Sequence, residues 1–386
     1  MYTIRQFKGL TNTADPLRKG LGWLSVADNV NVTNTGALSK RDGYTKVRSG
    51  NFASVFTTFD FRRMYAVVDN QLVNFDGTVL ATLASTAPMY WTELNDQVFF
   101  NNGVDSGIIR QDDSVIPWRW EVPTAPLLSC KSDEGSPNAL LQVRCTYTLA
   151  DGRETGAGEA VAAYWSSSDG VVSITSVPNV QNCVTNVYVA AANSSVFQHL
   201  CTTRASAVTY DGNPDHLGRE LLTAFLDPLP FGADVICAWK GRIYAAHHMP
   251  VEGQTAIWFS EPLGFHLFNL NSNFIMVPGH VRLLSKHEDG LLIGTDERVF
   301  TYDGTSLKQI ADYGVIPGRH DDRDDDGTVY FWTTRGVCSA LPFMNLTEKQ
   351  ISVAPGVRAG GCIVKTGGQK RFLSVLQRGG SPFNAL

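Results

Sequence analysis

Two stretches of this chain repeat each other across a gap of about 170 residues, and that repetition limits what it can fold into. "FRRMYAVVD" begins at Phe61 and "KGRIYAAHH" at Lys240. Each runs from a basic turn through Arg, an apolar residue and Tyr-Ala into more apolar residues. A second pair agrees with the first. "QLVNFDGTVLATL" and "RVFTYDGTSLKQI" both pass from one apolar run to the next through an aromatic-Asp-Gly turn, Phe75-Asp76-Gly77 and Tyr302-Asp303-Gly304. Around these blocks the pattern is of short alternating runs cut by Gly, Asn, Asp and Pro, the signature of strands and tight turns. The 35 glycines fit such a chain. "ASVFTTFDF", "RMYAVVD", "QLVNFDG" and "TVLATL" read as four successive strands, and "MYWTELND", "QVFFNN" and "SGIIRQ" open a second set.

Repeats of roughly 35–45 residues with about four strands each mark propeller blades. One four-stranded blade cannot bury both faces alone, whereas a closed ring of blades covers every face. The sequence therefore predicts an all-β, β-propeller-like fold of five or six blades, with Arg63–Ala66 and Arg242–Ala245 at equivalent strand positions. Few segments have helical period. Leu17–Leu24 could hold a turn or two of helix, weakened by Gly20 and Gly22.

The texture changes between the copies. Pro123 and Pro126 mark a linker, and about 110 residues of longer strands follow, closing near Pro228 and Pro230. Their spacing suits an immunoglobulin- or fibronectin-like β-sandwich, though other small sandwiches fit as well. The expected division is 1–50, an N-terminal arm or ring-closing strands; 51–122, the first blades; 123–231, the inserted sandwich; and 232–386, the remaining blades.

The formal net charge of −5 argues against a nucleic-acid-binding surface spread over the whole molecule. No stretch approaches the ~20 apolar residues of a membrane span, and the opening residues lack the apolar run of a signal peptide. Seven cysteines without a CxxC pair (Cys130, Cys145, Cys183, Cys201, Cys237, Cys338 and Cys362) read better as free thiols of a protein folded in a reducing compartment than as disulfides.

The sharpest local motif is "DDRDDDG". Asp322, Asp324, Asp326 and Gly327 match the D-x-D-x-D-G head of a calcium loop, in which alternating carboxylates converge on one ion. The twelfth loop position is Thr333 where an EF-hand needs a bidentate Glu, so an EF-hand is excluded. A structural calcium site or a solvated acidic turn remain as readings, the turn being the better supported. His247 and His248, near Glu252, are adjacent on an apparent strand and so point to opposite faces, which is wrong for joint metal ligation. Glu261, Asp289 and Asp296 are the acids that could reach a central channel. Trp91, Trp118, Trp120, Trp239, Trp258 and Trp332 read either as a sugar- or base-stacking surface or, better, as packing between blades. No catalytic motif is present, and no cofactor is called for.

The segment Leu21–Val47, "LGWLSVADNVNVTNTGALSKRDGYTKV", is not blade-like. With its "A-x-N-V-x-V-T-x-T-G-x-L-x-x-R-x-G-Y" form it resembles tail and connector proteins of tailed bacteriophages. "RMYAVVDNQL", Tyr147–Gly156 ("YTLADGRETG"), "WKGRIYAA", "WFSEPLGFHLF" and "DGLLIGTDERVF" fit the same resemblance. Among such proteins, it resembles the β-propeller hub (nozzle, or stabilisation) proteins at the distal end of short phage tails. The resemblance implies a non-enzymatic virion protein, assembled in the host cytoplasm as a homo-oligomeric ring around the DNA channel. It would touch an adaptor or tube protein above and carry fibre or spike proteins, with DNA passing without sequence-specific binding. An arm such as Met1–Asp15 would order on contact with a neighbouring subunit. The alternatives are a tail-tip or baseplate protein, a cell-surface carbohydrate-binding protein acting through Trp, and a calcium-dependent propeller enzyme.

Overall fold

The computed structural model describes residues 4, 6–13, 15, 18–33, 35–130, 139–165, 171–191, 193–354, 356–366 and 369–377. They form strands joined by turns. No α-helix occurs among them, and the only helical element described is a 3-10 turn at Pro214–His216. The helical turn expected near Leu17–Leu24 is replaced, in its described part, by a turn leading into a two-residue strand, because Gly22 sits at φ +93°. Leu17 lies outside the described residues.

The N-terminal segment carries β1 (Gly9–Leu10) parallel to β2 (Trp23–Leu24), and a hairpin of β3 (Val30–Val32) and β4 (Leu38–Lys40). Two antiparallel four-stranded sheets follow. Blade one is β5 (Phe52–Thr57), β6 (Met64–Val68), β7 (Gln71–Asn74) and β8 (Val79–Thr82). Blade two is β9 (Tyr90–Leu94), β10 (Gln97–Asn101), β11 (Ser106–Ile109) and β12 (Val115–Ile116).

The chain then leaves for the insert: β13 (Leu127–Ser129), β14 (Ala139–Leu149), β15 (Val161–Trp165), β16 (Val172–Thr175), β17 (Cys183–Ala190), β18 (Gln198–Thr203) and β19 (Ala207–Tyr210). It returns to build blade three from β20 (Ile236–Trp239), β21 (Arg242–Met249), β22 (Gln254–Phe259) and β23 (Phe274–Pro278). Blade four is β24 (Val281–Lys286), β25 (Leu291–Thr295), β26 (Val299–Tyr302) and β27 (Leu307–Ala311). Blade five is β28 (Asp322–Arg323), β29 (Val329–Thr333), β30 (Gly336–Ala340) and β31 (Met344–Asn345), and a hairpin of β32 (Arg358–Thr366) and β33 (Gln369–Gln377) ends the described chain.

The repeats that opened the sequence analysis occupy equivalent places. β6 and β21 are each the second strand of a blade, and both aromatic-Asp-Gly turns join a third strand to a fourth. Tight turns set the register. Asp69-Asn70, Asn95-Asp96 and Lys240-Gly241 are two-residue connections with both φ values positive, the type I′ geometry that matches strand twist.

The blades pack through period-2 alternation with both faces buried. On β10, Val98 and Phe100 face blade one while Phe99 faces blade three. On β25, Leu291 and Ile293 face blade three and Leu292 faces blade five. On β29, Val329 and Phe331 face blade four, and Trp332 packs against Ala359 and Phe372 of the last hairpin. That hairpin therefore covers the outer face of blade five as a two-stranded sixth sector, and Arg358 of β32 donates to the Ala53 carbonyl of blade one at 3.0 Å. Asn12 pairs with Ser352 in both directions, at 2.8 and 2.6 Å, tying the N-terminal segment to the chain between blade five and the hairpin.

In the insert, the sheets β13-β16-β19 and β15-β14-β17-β18 enclose a core of Leu141, Val143, Cys145, Val172, Ile174, Val187 and Val189. Matching β14, β15, β17 and β18 to immunoglobulin strands C, C′, F and G reproduces the second sheet. β13 and β16 then stand as B and E, and β19 takes the flank that D occupies in that fold.

Candidate functional site

The five blades present their first strands to a common centre. There Phe56, Tyr90, Trp91, Glu93, Cys237, Lys286, Arg319 and Asp321–Arg323 line a cavity of about 220 Å³. Its charged side chains balance: Glu93, Asp321 and Asp322 against Lys286, Arg319 and Arg323. Glu93 accepts the Phe59 backbone N–H at 2.7 Å. The Arg319 guanidinium lies 4.6 Å over the Phe56 ring, and its buried Nη1 has no hydrogen-bond partner. Burial pushes the Cys237 thiol up to about 12, so it is protonated at neutral pH and is a poor nucleophile. Buried His320 bridges Ile316 and Trp332. Its Nε2 faces the Ile316 carbonyl at 2.6 Å, and its Nδ1 accepts the Trp332 backbone N–H at 2.9 Å. This fixes the tautomer and employs both nitrogens in structure.

Each candidate residue of the sequence analysis has a definite place. "DDRDDDG" runs through β28 into the turn before β29, with Gly327 at φ +87°. Its carboxylates diverge. Asp322 accepts the Ile363 N–H at 2.6 Å, Asp324 pairs with Lys370 at 2.7 Å, and Asp326 accepts the Thr328 N–H at 3.0 Å. Asp325 pairs with Lys365 and Lys370. Asp322, Asp324 and Asp326 thus face three different partners. Lysines of the last hairpin pair with Asp324 and Asp325, and among the described residues no group of three His, Cys, Asp or Glu could hold a metal ion. Glu261, Asp289 and Asp296 do not reach the channel. Glu261 accepts from Asn273 at 2.7 Å, Asp289 is exposed beside His287, and Asp296 accepts the His280 N–H at 2.9 Å.

His247 and His248 do point apart. His247 lies against Trp258, and His248 stacks on His280 with ring centroids 4.1 Å apart. Glu252 is exposed in the following turn. The six tryptophans are interior or half-buried. Trp91 stacks on Phe56, and Trp118 donates to the Phe265 carbonyl at 2.8 Å while packing on Phe99. All seven cysteines are free.

Two features escaped the sequence reading. The first is the role of the Tyr147–Gly156 block. Glu154 receives Thr146 and Tyr188 hydroxyls at 2.6 Å each and the Arg219 guanidinium at 2.7 Å. Burial alone would raise its carboxyl, but these donors outweigh it and hold the group below the ordinary range. Its neighbour Arg153 donates to the Pro117 carbonyl at 2.7 Å, and the Glu154 carbonyl is 2.9 Å from His266 Nε2, so this block joins insert to propeller.

The second is the turn between β5 and β6. It spans Thr58–Arg63 where blades two and three use two residues, and it leaves Phe59 81% and Phe61 85% exposed. "TTFDFRR" set against "WKGR" carried that signal.

No family model matches the chain, and no curated protein matches it. Its structure is similar to an extracellular domain from B. thetaiotaomicron described as a one component system, with TM-score 0.32 and 11% identity over 82% of this chain and 36% of that one. The chain thus spans about a third of that structure's length. It is also similar to the RRP9 WD40 repeats, with TM-score 0.33 and 7% identity over 82% of this chain and 85% of that one. A third similar structure is Porphyromonas gingivalis dipeptidyl peptidase 4, with TM-score 0.28 and 9% identity over 80% of this chain and 45% of that one. The fold is all-β and propeller-like.

Proposed function

We propose that this protein is a structural component of a tailed-bacteriophage tail, a hub or nozzle that assembles as a homo-oligomeric ring and works through its surfaces. The observation that carries the reading is the N-terminal segment. Its described residues up to 50 contribute no hydrophobic side chain to the buried core, yet Ile4, Leu21, Val26, Leu38, Tyr44 and Val47 are exposed. Apolar side chains held out on an ordered arm suit contact with another subunit. The resemblance of Leu21–Val47 and the later blocks to phage tail proteins supports the same reading.

In this proposal the propeller's own channel is a plug of balanced charge, far too small for DNA, and the DNA lane runs between copies. Adaptor or tube proteins sit above, fibres or spikes attach outside, and assembly precedes release from the host cell. Electron microscopy of the purified protein, alone and co-expressed with its tail neighbours, tests this. Closed rings that join virions are expected; a strictly monomeric protein that never enters a particle would overturn it.

A further inference from the structure

Charge is unevenly divided along the chain. Residues 1–50 hold eight Lys and Arg against three Asp, whereas residues 51–122, blades one and two, hold four Arg and no Lys against nine Asp and Glu. The acidic portion also carries an aromatic cleft. Phe61 and Phe75, both exposed, border a cavity of about 430 Å³ at the end of blade one, with Asp76 and Asp113 in its lining. Asp60, Asp96 and Asp112 are exposed in nearby turns of blades one and two.

The cations of this region are already engaged. Arg63 donates to the carbonyls of Arg110 and Asp96 at 3.3 and 2.9 Å, and Arg62 lies 3.6 Å from Asp60. Phe61 is held at φ +58°, a left-handed conformation costly for a bulky residue. Thr58 and Asp60 hold the turn: the Phe61 N–H donates to the Thr58 carbonyl at 2.9 Å, and the Thr58 hydroxyl donates to Asp60 at 2.6 Å. Strain and exposure coincide on one phenylalanine.

We infer that this cleft receives the basic N-terminal arm of a second copy of the chain, a deepening that rests on the ring reading above. The arm offers what the cleft lacks. Lys40, Arg41 and Lys46 stand beside exposed Leu38, Tyr44 and Val47, so apolar side chains meet Phe61 and Phe75 while cations meet the surrounding aspartates. Within one chain the root of the arm touches blade one, where Arg48 lies beside Gly77 and Gly50 beside Val68. Among the described residues no backbone–backbone hydrogen bond joins 18–46 to 51–122. An arm-to-cleft contact is heterologous, the head-to-tail kind that generates a closed ring when the rotation closes.

The test places the photo-cross-linking residue p-benzoylphenylalanine at Phe61 in the full chain, mixed with an isotopically labelled preparation. Cross-linked peptides are then mapped by mass spectrometry. Links between light and heavy chains from position 61 to residues 18–48 are expected. Assembly that persists while links fall within one chain, or reach another chain outside the arm, overturns this inference and leaves the ring reading standing; a monomer at every concentration overturns both. As a second measurement, Lys40→Glu with Lys46→Glu should weaken assembly by roughly threefold to tenfold, the scale of two exposed ion pairs. Adding Asp76→Lys, at an exposed aspartate of the cleft lining, should restore part of it. No weakening, or no rescue, overturns the assigned pairing.

Discussion

His280 lies stacked on His248 with Arg282 near by, and burial, then these two neighbours, lower it to about 4 against the pull of Asp296. Burial likewise lowers His199, His266 and His320. A histidine lowered in the folded state binds its proton first in the unfolded chain. The stability it contributes is therefore complete above about pH 6.5 and is lost as pH falls toward 4. The thermal midpoint should be lower at pH 5 than at pH 7.5, and His280→Asn should shrink the difference; equal midpoints for the wild type would refute this. None of it was legible beforehand. Adjacent His247 and His248 drew attention because they are adjacent, but the partner that matters to His248 comes from the first residues after β23, which no spacing announces. The partners of the acidic turn were hidden for a related reason: the lysines that pair with Asp324 and Asp325 lie about 40 residues on, where no local motif points.

At the scale of elements, the alternation that betrayed the strands was reliable, because burial on both faces of a blade demands it. β5 to β11 lie where the runs placed them, and the echo between β6 and β21 proved to be equivalence of position. The Tyr147–Gly156 block was visible as a motif but not as a joint. Glu154→Ala removes one acceptor that four side chains share, since Asn186 also reaches it at 3.1 Å, and leaves buried donors unpaired. With charged hydrogen bonds each contributing ~1.5–3 kcal/mol, a loss of at least about 2 kcal/mol is expected from urea denaturation. Glu154→Gln, which keeps an accepting oxygen, should lose less; equal losses would show that charge alone matters. The channel was misread at this scale too. Which acids face the centre depends on which strand is innermost, and Glu93 and Asp321 lie on or beside inner strands while Glu261, Asp289 and Asp296 lie in turns.

For the whole molecule, the all-β, propeller-like plan was readable from the repeats, and the count of five or six blades stayed open for a physical reason. Five blades have four strands, and the sixth sector has two. A truncated sector leaves little periodicity to count. The seam beside it is held by exposed hydrogen bonds such as those of Asn12 and Thr13 to residues 349–352, not by buried apolar contacts. Local opening follows local contact. Amide hydrogen exchange should therefore be fastest at residues 8–13 and 347–354 and slowest in β10, β21 and β25; uniform protection around the ring would refute the assignment.

That clasp also sets an order of events during synthesis. Asn12 meets Ser352, 340 residues later, so the loop cannot close until nearly all of the described chain has left the ribosome. Meanwhile blade one waits with one flank uncovered, whereas the strand pairs of the sandwich form among residues 127–210, with Glu220 bridging Gln198 shortly after. The nascent chain is thus an open arc that spends its translation exposed, and the last blade and hairpin to emerge convert it into a circle.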